Sequence, residues 1–408
     1  MKTFTFVNQS CHRRQEDVAR VRRFLLVNGF AESTRLADAD LVLLFTCAFC
    51  QSKVADMQVE IGRIQSLVKD GCELVVGGCL PKTDGEGLRT VFTGRTIAPT
   101  DLGALDQLPG ITVRIGEVPE LGGDSICAPV PRLSRSTAVK AQLKARALWA
   151  TAALMQAWPA LPLHRVASRL DTGPRMGVFL GSGCPRACSY CGIRFAVGPL
   201  RSKPLEEVTG MVAAGLDRGY RKFDLFADSI GDYGIDVGTS LGALLDWVST
   251  SEREFSVGMY DLHPQALTKV FAQTLALCEA GRVHMLYVPL QSGNARILGL
   301  MNRPGEAGEL VGRLVRLRAH PRVFLQTSVI VGFPSETEAE FDDTLAVLSE
   351  VRFHEVLVHF YSDMPNTAAS HLPGKIDKAT MWRRLARLEG AGIRFDRGTA
   401  RHEWEMIP

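Results

Sequence analysis

The sequence predicts two successive α/β units, a parallel sheet flanked by helices and then a partial (β/α)6 barrel, on three observations. Short apolar runs rich in Val, Leu and Phe alternate with polar stretches of helical period over residues 1–128. The same alternation restarts at Met176 and gives six β/α repeats. Between them lies a proline-punctuated stretch without a single acidic residue from Ala128 to Arg169.

In the first unit, residues 1–128, strands are predicted at Thr3–Val7, Leu41–Phe45 and Glu73–Val76, with helices over Glu16–Gly29 and Ala55–Lys69. Residues 129–175 are predicted to be a basic helical linker, with prolines at 129, 131, 159 and 162 and an Ala- and Leu-rich middle, Thr137–Trp158. A bridging helix is the plain reading of that stretch; a basic substrate-binding face over 132–169 is the alternative. Residues 176–370 carry the barrel, with strands at Gly177–Leu180, Lys222–Ala227, Phe255–Tyr260, Val283–Pro289, Val323–Val331 and Glu355–Tyr361. Helical patterns separate them at Leu205–Arg218, Gly238–Val248, Pro264–Glu279, Gly305–Leu317 and Glu336–Val351. Six units fall short of the eight that close a barrel, and function in such folds gathers at the carboxyl ends of the strands. Residues 371–408 are predicted to be a helical tail, with one basic helix near Lys378–Arg387.

The composition, 46% hydrophobic and 22% charged with a net charge of +3, is that of an ordinary soluble protein and sets up no global field for nucleic acid or membrane. The start, MKTFTFVNQS, has no apolar run behind a basic end, and the stretch Ala147–Leu163 is broken by Gln156, Pro159 and Pro162. A cytoplasmic protein with no membrane partner is expected. Ten cysteines without a leader then point to reduced thiols engaged in metal or redox chemistry.

The strongest local signal is GSGCPRACSYCGIRF, with Cys184, Cys188 and Cys191 spaced CxxxCxxC just after the first barrel strand. Three thiolates can hold three corners of a four-iron cubane and leave one iron open for a ligand. A zinc or fortuitous cysteine loop is the competing reading of the spacing alone. Cys11, Cys47 and Cys79 each follow a predicted strand of the first unit, so in a parallel sheet all three lie beyond one carboxyl edge. A second cluster is read there, against unrelated thiols. Gly77–Gly78 fits close approach of the backbone to a bulky cofactor, and Cys50 could compete as a ligand. Cys72, Cys127 and Cys278 read as packing residues.

The CxxxCxxC loop with Tyr190 before its last cysteine resembles the signature of the radical S-adenosylmethionine superfamily. Together with ADADLVLLFTC, GGCLP, VPLQSGNARILGLMNR (288–303), VIVGFPSETEAEFDDTL (329–345) and HFYSDMPNTAA (359–369), it resembles the methylthiotransferase family. Arg201-Ser202-Lys203-Pro204 and Asp232-Tyr233-Gly234 add two weaker likenesses, and coverage runs from about residue 3 to 390. The resemblance implies a Rossmann-like N-terminal domain, a radical S-adenosylmethionine barrel, two 4Fe–4S clusters and S-adenosylmethionine. It implies that Cys184, Cys188 and Cys191 ligate the radical cluster, and Cys11, Cys47 and Cys79 an auxiliary cluster that gives up sulfur. Tyr190, Asp228, Ser229, Gln291, Ser292, Ile330, Gly332, Phe333 and Tyr361 become candidate S-adenosylmethionine contacts. Gly332-Phe333-Pro334 as a mere turn and Asp228 as a helix cap are the plainer alternatives. Asp261, beside His263, and Gln291 become candidate catalytic residues, with a structural ion pair the alternative for Asp261.

Three departures from the family pattern shape the expected substrate. The all-β domain usual after the barrel is not seen, Thr327-Ser328 replaces a strand segment that usually carries an acid, and Arg14 stands where Asn is usual. A sulfur-inserting enzyme acting on a small molecule or peptide of specialised metabolism is therefore expected, with a flavodoxin- or ferredoxin-type electron donor and nucleic acid not favoured as a partner. A tRNA methylthiotransferase and a non-catalytic electron-transfer protein are the alternatives.

Overall fold

The computed structural model describes residues 2–118, 174–305 and 307–396; nearly all of the expected linker, with its basic segment 132–169, lies outside them. The first sheet contains β1 (Thr3–Asn8), β2 (Ala31–Glu32), β3 (Leu41–Thr46), β4 (Glu73–Gly78) and β5 (Arg95–Thr96), all parallel in the order β2-β1-β3-β4-β5. β3 is buried at every residue, as a strand covered on both faces must be. Its period of two divides the side chains cleanly. Val42 and Leu44 pack with Val54, Met57, Ile61 and Ile64 of helix Gln51–Leu67. Leu41, Leu43 and Phe45 pack with Val21, Phe24 and Leu25 of helix Gln15–Val27.

The second sheet contains β6 (Arg175–Phe179), β9 (Lys222–Phe226), β10 (Ser256–Met259), β11 (Val283–Tyr287), β12 (Phe324–Val331), β13 (Glu355–Phe360) and β14 (Phe395–Asp396). All neighbours are parallel in the order β6-β9-β10-β11-β12-β13-β14, while β7 (Gly181–Ser182) and β8 (Arg201–Ser202) form a small antiparallel hairpin. The sheet therefore has seven strands where six are expected. The extra one, β14, comes from the tail, whose helix Lys378–Gly390 is followed by a strand too short to read from sequence. The expected helix Pro264–Glu279 is two, Pro264–Lys269 and Phe271–Glu279, and a short helix Ala295–Leu300 has no counterpart in the sequence reading.

Helix Lys378–Gly390 is pinned to the sheet by a buried charge. Arg384 is 1% exposed; it donates from Nη1 to Glu336 Oε2 at 2.7 Å, from Nη2 to the Glu336 carbonyl at 2.7 Å and from Nε to Glu338 Oε1 at 2.9 Å.

The two sheets meet at their carboxyl edges. Arg14, just beyond β1, donates from Nη2 to both oxygens of Asp228, just beyond β9, at 2.7 and 2.8 Å, and from Nη1 to Asp17 at 3.0 Å. Side chains of that pair are only 4% and 3% exposed. Lys203 crosses the same junction to Glu16 at 2.7 Å, and Arg13 to Asp261 at 2.8 Å. An apolar seam runs beside these pairs, with Ala196 and Met364 of the second unit joining Cys79 and Leu80 of the first in one cluster.

Removing Arg384 as Arg384→Met strands Glu336 in the core and is expected to cost about 3–5 kcal/mol, read as a lowered denaturation midpoint. Arg14→Met should cost a similar ~3–5 kcal/mol for the same reason. The double variant Arg14→Met/Asp228→Asn should cost clearly less than the sum of its parts; additive losses would show that the two side chains do not act as a pair.

His263 caps helix Pro264–Lys269 by accepting the Gln265 N–H at 3.2 Å, which requires a neutral ring. Burial, with Arg303 and Arg186 adding to it, pushes the imidazole down to about 2. The unfolded chain therefore takes up a proton near pH 6.5 that the folded chain refuses, so stability is complete above that pH and falls as pH drops toward 2. By pH 5 the loss from this residue should reach ~2 kcal/mol. Melting curves of wild type and His263→Asn between pH 7 and 5 should show a shallower pH dependence in the variant.

Candidate metal and cofactor site

Cys11, Cys47 and Cys79 follow β1, β3 and β4, three neighbouring strands of one parallel sheet, so topology alone delivers them to one edge. They are close enough to act on one another electrostatically. Burial, then the neighbouring Cys11, raises the Cys47 thiol to about 11. Burial raises Cys79 further, although Arg14 opposes it. Buried thiols that resist ionisation in each other's company are suited to a metal, whose charge supplies what the protein withholds. Cys50 is buried and near Cys47, with its sulfur 3.1 Å from the Ser52 hydroxyl. Gly77 and Gly78 answer to a packing need. A Cβ on Gly78, whose φ is +94°, would strike the Thr46 backbone, and one on Gly77 would strike Ile97. Cys72 and Cys278 pack in the two cores as expected, and Cys127 lies outside the described residues.

The second trio lies on the loop between β7 and β8. Gly183, at φ +85°, lets the loop entrance pass the Pro199 carbonyl where any side chain would collide. Backbone N–H groups point at the sulfurs, from Arg186 to Cys184 and from Arg194 and Ile193 to Cys191, as thiolate ligands of iron–sulfur clusters require. Arg186 locks the loop with a fork onto Asp232 at 2.7 and 2.9 Å. Segment Leu300–Arg303 braces the other side. Ser189 donates from its hydroxyl to the Leu300 carbonyl at 2.7 Å and from its N–H to the Met301 carbonyl at 3.0 Å, and Asn302 donates to the Ala187 carbonyl at 2.9 Å. Arg303, 7% exposed, donates to Cys188 Sγ at 3.6 Å and to the Pro289 carbonyl at 2.7 Å. Arg303 belongs to the site although sequence reasoning passed over it; its only signal was its place at the end of the LMNR motif. Among the described residues no three His, Cys, Asp or Glu side chains could hold a single metal ion.

The other expected site residues divide. Tyr190, Ile330, Phe333 and Tyr361 gather in one apolar cluster beside the loop, with Phe333 fully buried and its ring 5.5 Å from that of Tyr361. Gly332, at φ +84°, leaves room for Met381, so this segment is a packed turn. Ser229 has its hydroxyl against Cys184 and within 2.5 Å of Asp232 Oδ2. Ser292 is buried, with its hydroxyl 3.4 Å from that of Thr344. Asp228 is neither a helix cap nor open to a cofactor; Arg14 and the Gly183 N–H, at 2.9 Å, take its oxygens. Gln291, at φ +73°, keeps a buried Oε1 without a hydrogen-bond partner among the described residues.

Between the trios lies the short segment after Cys11. His12 sits 4.7 Å from the ring of Phe226, which in turn stacks obliquely on Phe179 at 5.7 Å and Tyr260 at 4.9 Å. Asp261, at φ +59°, faces Arg13 and not His263.

Known proteins agree with this geometry. Residues 3–97 match the family described as uncharacterized protein family UPF0004, and residues 178–348 match the radical SAM superfamily. The chain is 27% identical over 95% of its length to a tRNA-2-methylthio-N(6)-dimethylallyladenosine synthase of Moorella thermoacetica, spanning 82% of that protein. It is 28% identical, again over 95% of its length, to the ribosomal protein uS12 methylthiotransferase RimO of Thermotoga maritima, spanning 84% of it. In fold it resembles the radical S-adenosylmethionine methyltransferase TsrM of Kitasatospora setae, with a TM-score of 0.58 at 13% identity over 90% of this chain and 77% of that one. With the paired sheets and the two trios, these matches make the chain an enzyme of the methylthiotransferase family of radical S-adenosylmethionine enzymes, whose cofactors are two 4Fe–4S clusters and S-adenosylmethionine.

Proposed function

We propose that the protein is a cytoplasmic enzyme that inserts sulfur into a small-molecule or peptide substrate. The observation that carries this reading is the pair of cysteine trios on facing carboxyl edges, held together by the buried Arg14–Asp228 pair. No described helix is long and apolar enough to cross a membrane. Cys184, Cys188 and Cys191 would hold the radical cluster, and Cys11, Cys47 and Cys79 the auxiliary one. When bound, the first cluster with S-adenosylmethionine supplies a 5′-deoxyadenosyl radical, and the second supplies the sulfur.

The chain itself orients and encloses. Tyr190, Ile330 and Tyr361 offer an apolar surface for the adenosine, with Phe333 supporting it from behind. The free Oε1 of Gln291 is an acceptor for a cofactor or substrate N–H or O–H. Asp261, set against Arg13, orients substrate. Electrons would come from a flavodoxin- or ferredoxin-type protein. The relative named for a tRNA modification favours one second reading, methylthiolation of a tRNA adenosine. Binding of tRNA that weakens steeply with salt would support that reading over a small substrate.

Anaerobic reconstitution should give about eight irons per chain, and reduction with S-adenosylmethionine should give 5′-deoxyadenosine. Replacing Cys11, Cys47 and Cys79 together by Ala should lower the count to about four, keep 5′-deoxyadenosine formation and abolish sulfur transfer. Sulfur transfer by that triple variant would overturn the assignment of the donor.

A further inference from the structure

Arg13 and Arg14 are neighbours with opposite fates. Arg14 is committed: its Nη2 donates to both Asp228 oxygens, its Nη1 to Asp17, and its side chain is only 4% exposed. Arg13 is not. Its side chain remains 28% exposed, its one charged contact among the described residues is the single bond from Nη2 to Asp261, and its Nε is buried without a hydrogen-bond partner. A guanidinium offers five N–H donors in a planar fork, so most of this one is unspent.

Its position is as telling as its free donors. Asp261, Asp228, Cys11 and Tyr287 all act on its charge, and it acts in turn on Cys191. Arg13, two residues after Cys11 in the first trio, thus reaches across to Asp261 just beyond β10, at the carboxyl edge of the barrel that also carries the second trio. The floor beneath is aromatic, formed by Phe179, Phe226 and Tyr260 with His12 at its rim.

We propose that Arg13 is a specificity-determining residue that anchors a carboxylate of the substrate, with Asp261 holding the guanidinium in register until the substrate arrives; this rests on the sulfur-insertion reading above. Charge balance selects a carboxylate over a phosphate. Asp261 on Arg13 and Asp228 and Asp17 on Arg14 already outnumber the two guanidiniums, so a dianion would meet more repulsion there than a monoanion. One fork also fits the two oxygens of one carboxylate.

The test is arginine footprinting of the reconstituted full chain with phenylglyoxal under anaerobic conditions, reading modification of Arg13 by peptide mass spectrometry. Succinate, neutral succinamide and inorganic phosphate serve as probes. Succinate at ten times its dissociation constant should slow labelling of Arg13 about tenfold, with succinamide inert and phosphate weaker. In Asp261→Asn, where the competing carboxylate is gone, the same protection should need less succinate. An Arg13 that fails to react in the ligand-free protein, that reacts at a rate indifferent to succinate, or that phosphate protects better than succinate overturns the assignment. Iron content and 5′-deoxyadenosine formation are measured separately on unlabelled protein. Their failure would sink the sulfur-insertion reading while leaving the footprint to stand or fall by itself.

Discussion

An ion pair with almost no water around it, Arg14 against Asp228, decides how this molecule is assembled. Parallel sheets gather their loops at one edge, but nothing in a parallel sheet makes that edge face another. Here the first residues after β1 reach across and bind the first residues after β9. Leaving either charge unpartnered in that setting is far worse than never having buried it, so the joint tolerates no partial disengagement. Arg13–Asp261 repeats the polarity of the contact and Lys203–Glu16 reverses it, so acid and base stand on both sides and fix rotation as well as approach.

That joint also explains why the two cysteine trios can be built by different means. The first is spread over three strands and is shaped by sheet register, β1, β3 and β4 lying side by side. The second is local, a single loop whose shape comes from hydrogen bonds to Leu300, Met301 and Asn302 and from the Arg186 fork. A site made by register is rigid because the sheet is; a site made by a loop is rigid only as far as its neighbours hold it. Arg303 is one such neighbour, tying the loop at Cys188 to the end of β11 through Pro289.

Much of this was legible in the sequence, for reasons that can be named. β3 and β4 are apolar on both faces, the mark of a central parallel strand, and each ends directly at a cysteine. The CxxxCxxC loop needs no tertiary information because its ligands are neighbours in the chain. What escaped was of two kinds. Strands of two residues, such as β2, β5 and β14, carry no periodicity at all. Partners far apart in sequence were hidden as well: Arg14 was visible as an oddity three residues after Cys11, but its reason, Asp228, lies 214 residues away. The partners of Asp228 and Ser292 were hidden for the same cause, since a motif shows that a polar residue is present and says nothing of which way it turns.

The brevity of those outer strands has a further effect. Among the described residues, three of the four margins of the two sheets end in a strand of two residues, β2, β5 and β14, which offers an incoming chain almost nothing to zip against. Before iron and sulfide arrive, the thiol-bearing loops lack the metal that would tie them down, and a protein with long bare margins would be prone to self-association during that interval. Blunt margins lower the tendency of the newly made chain to pair edge to edge before its inorganic parts are in place.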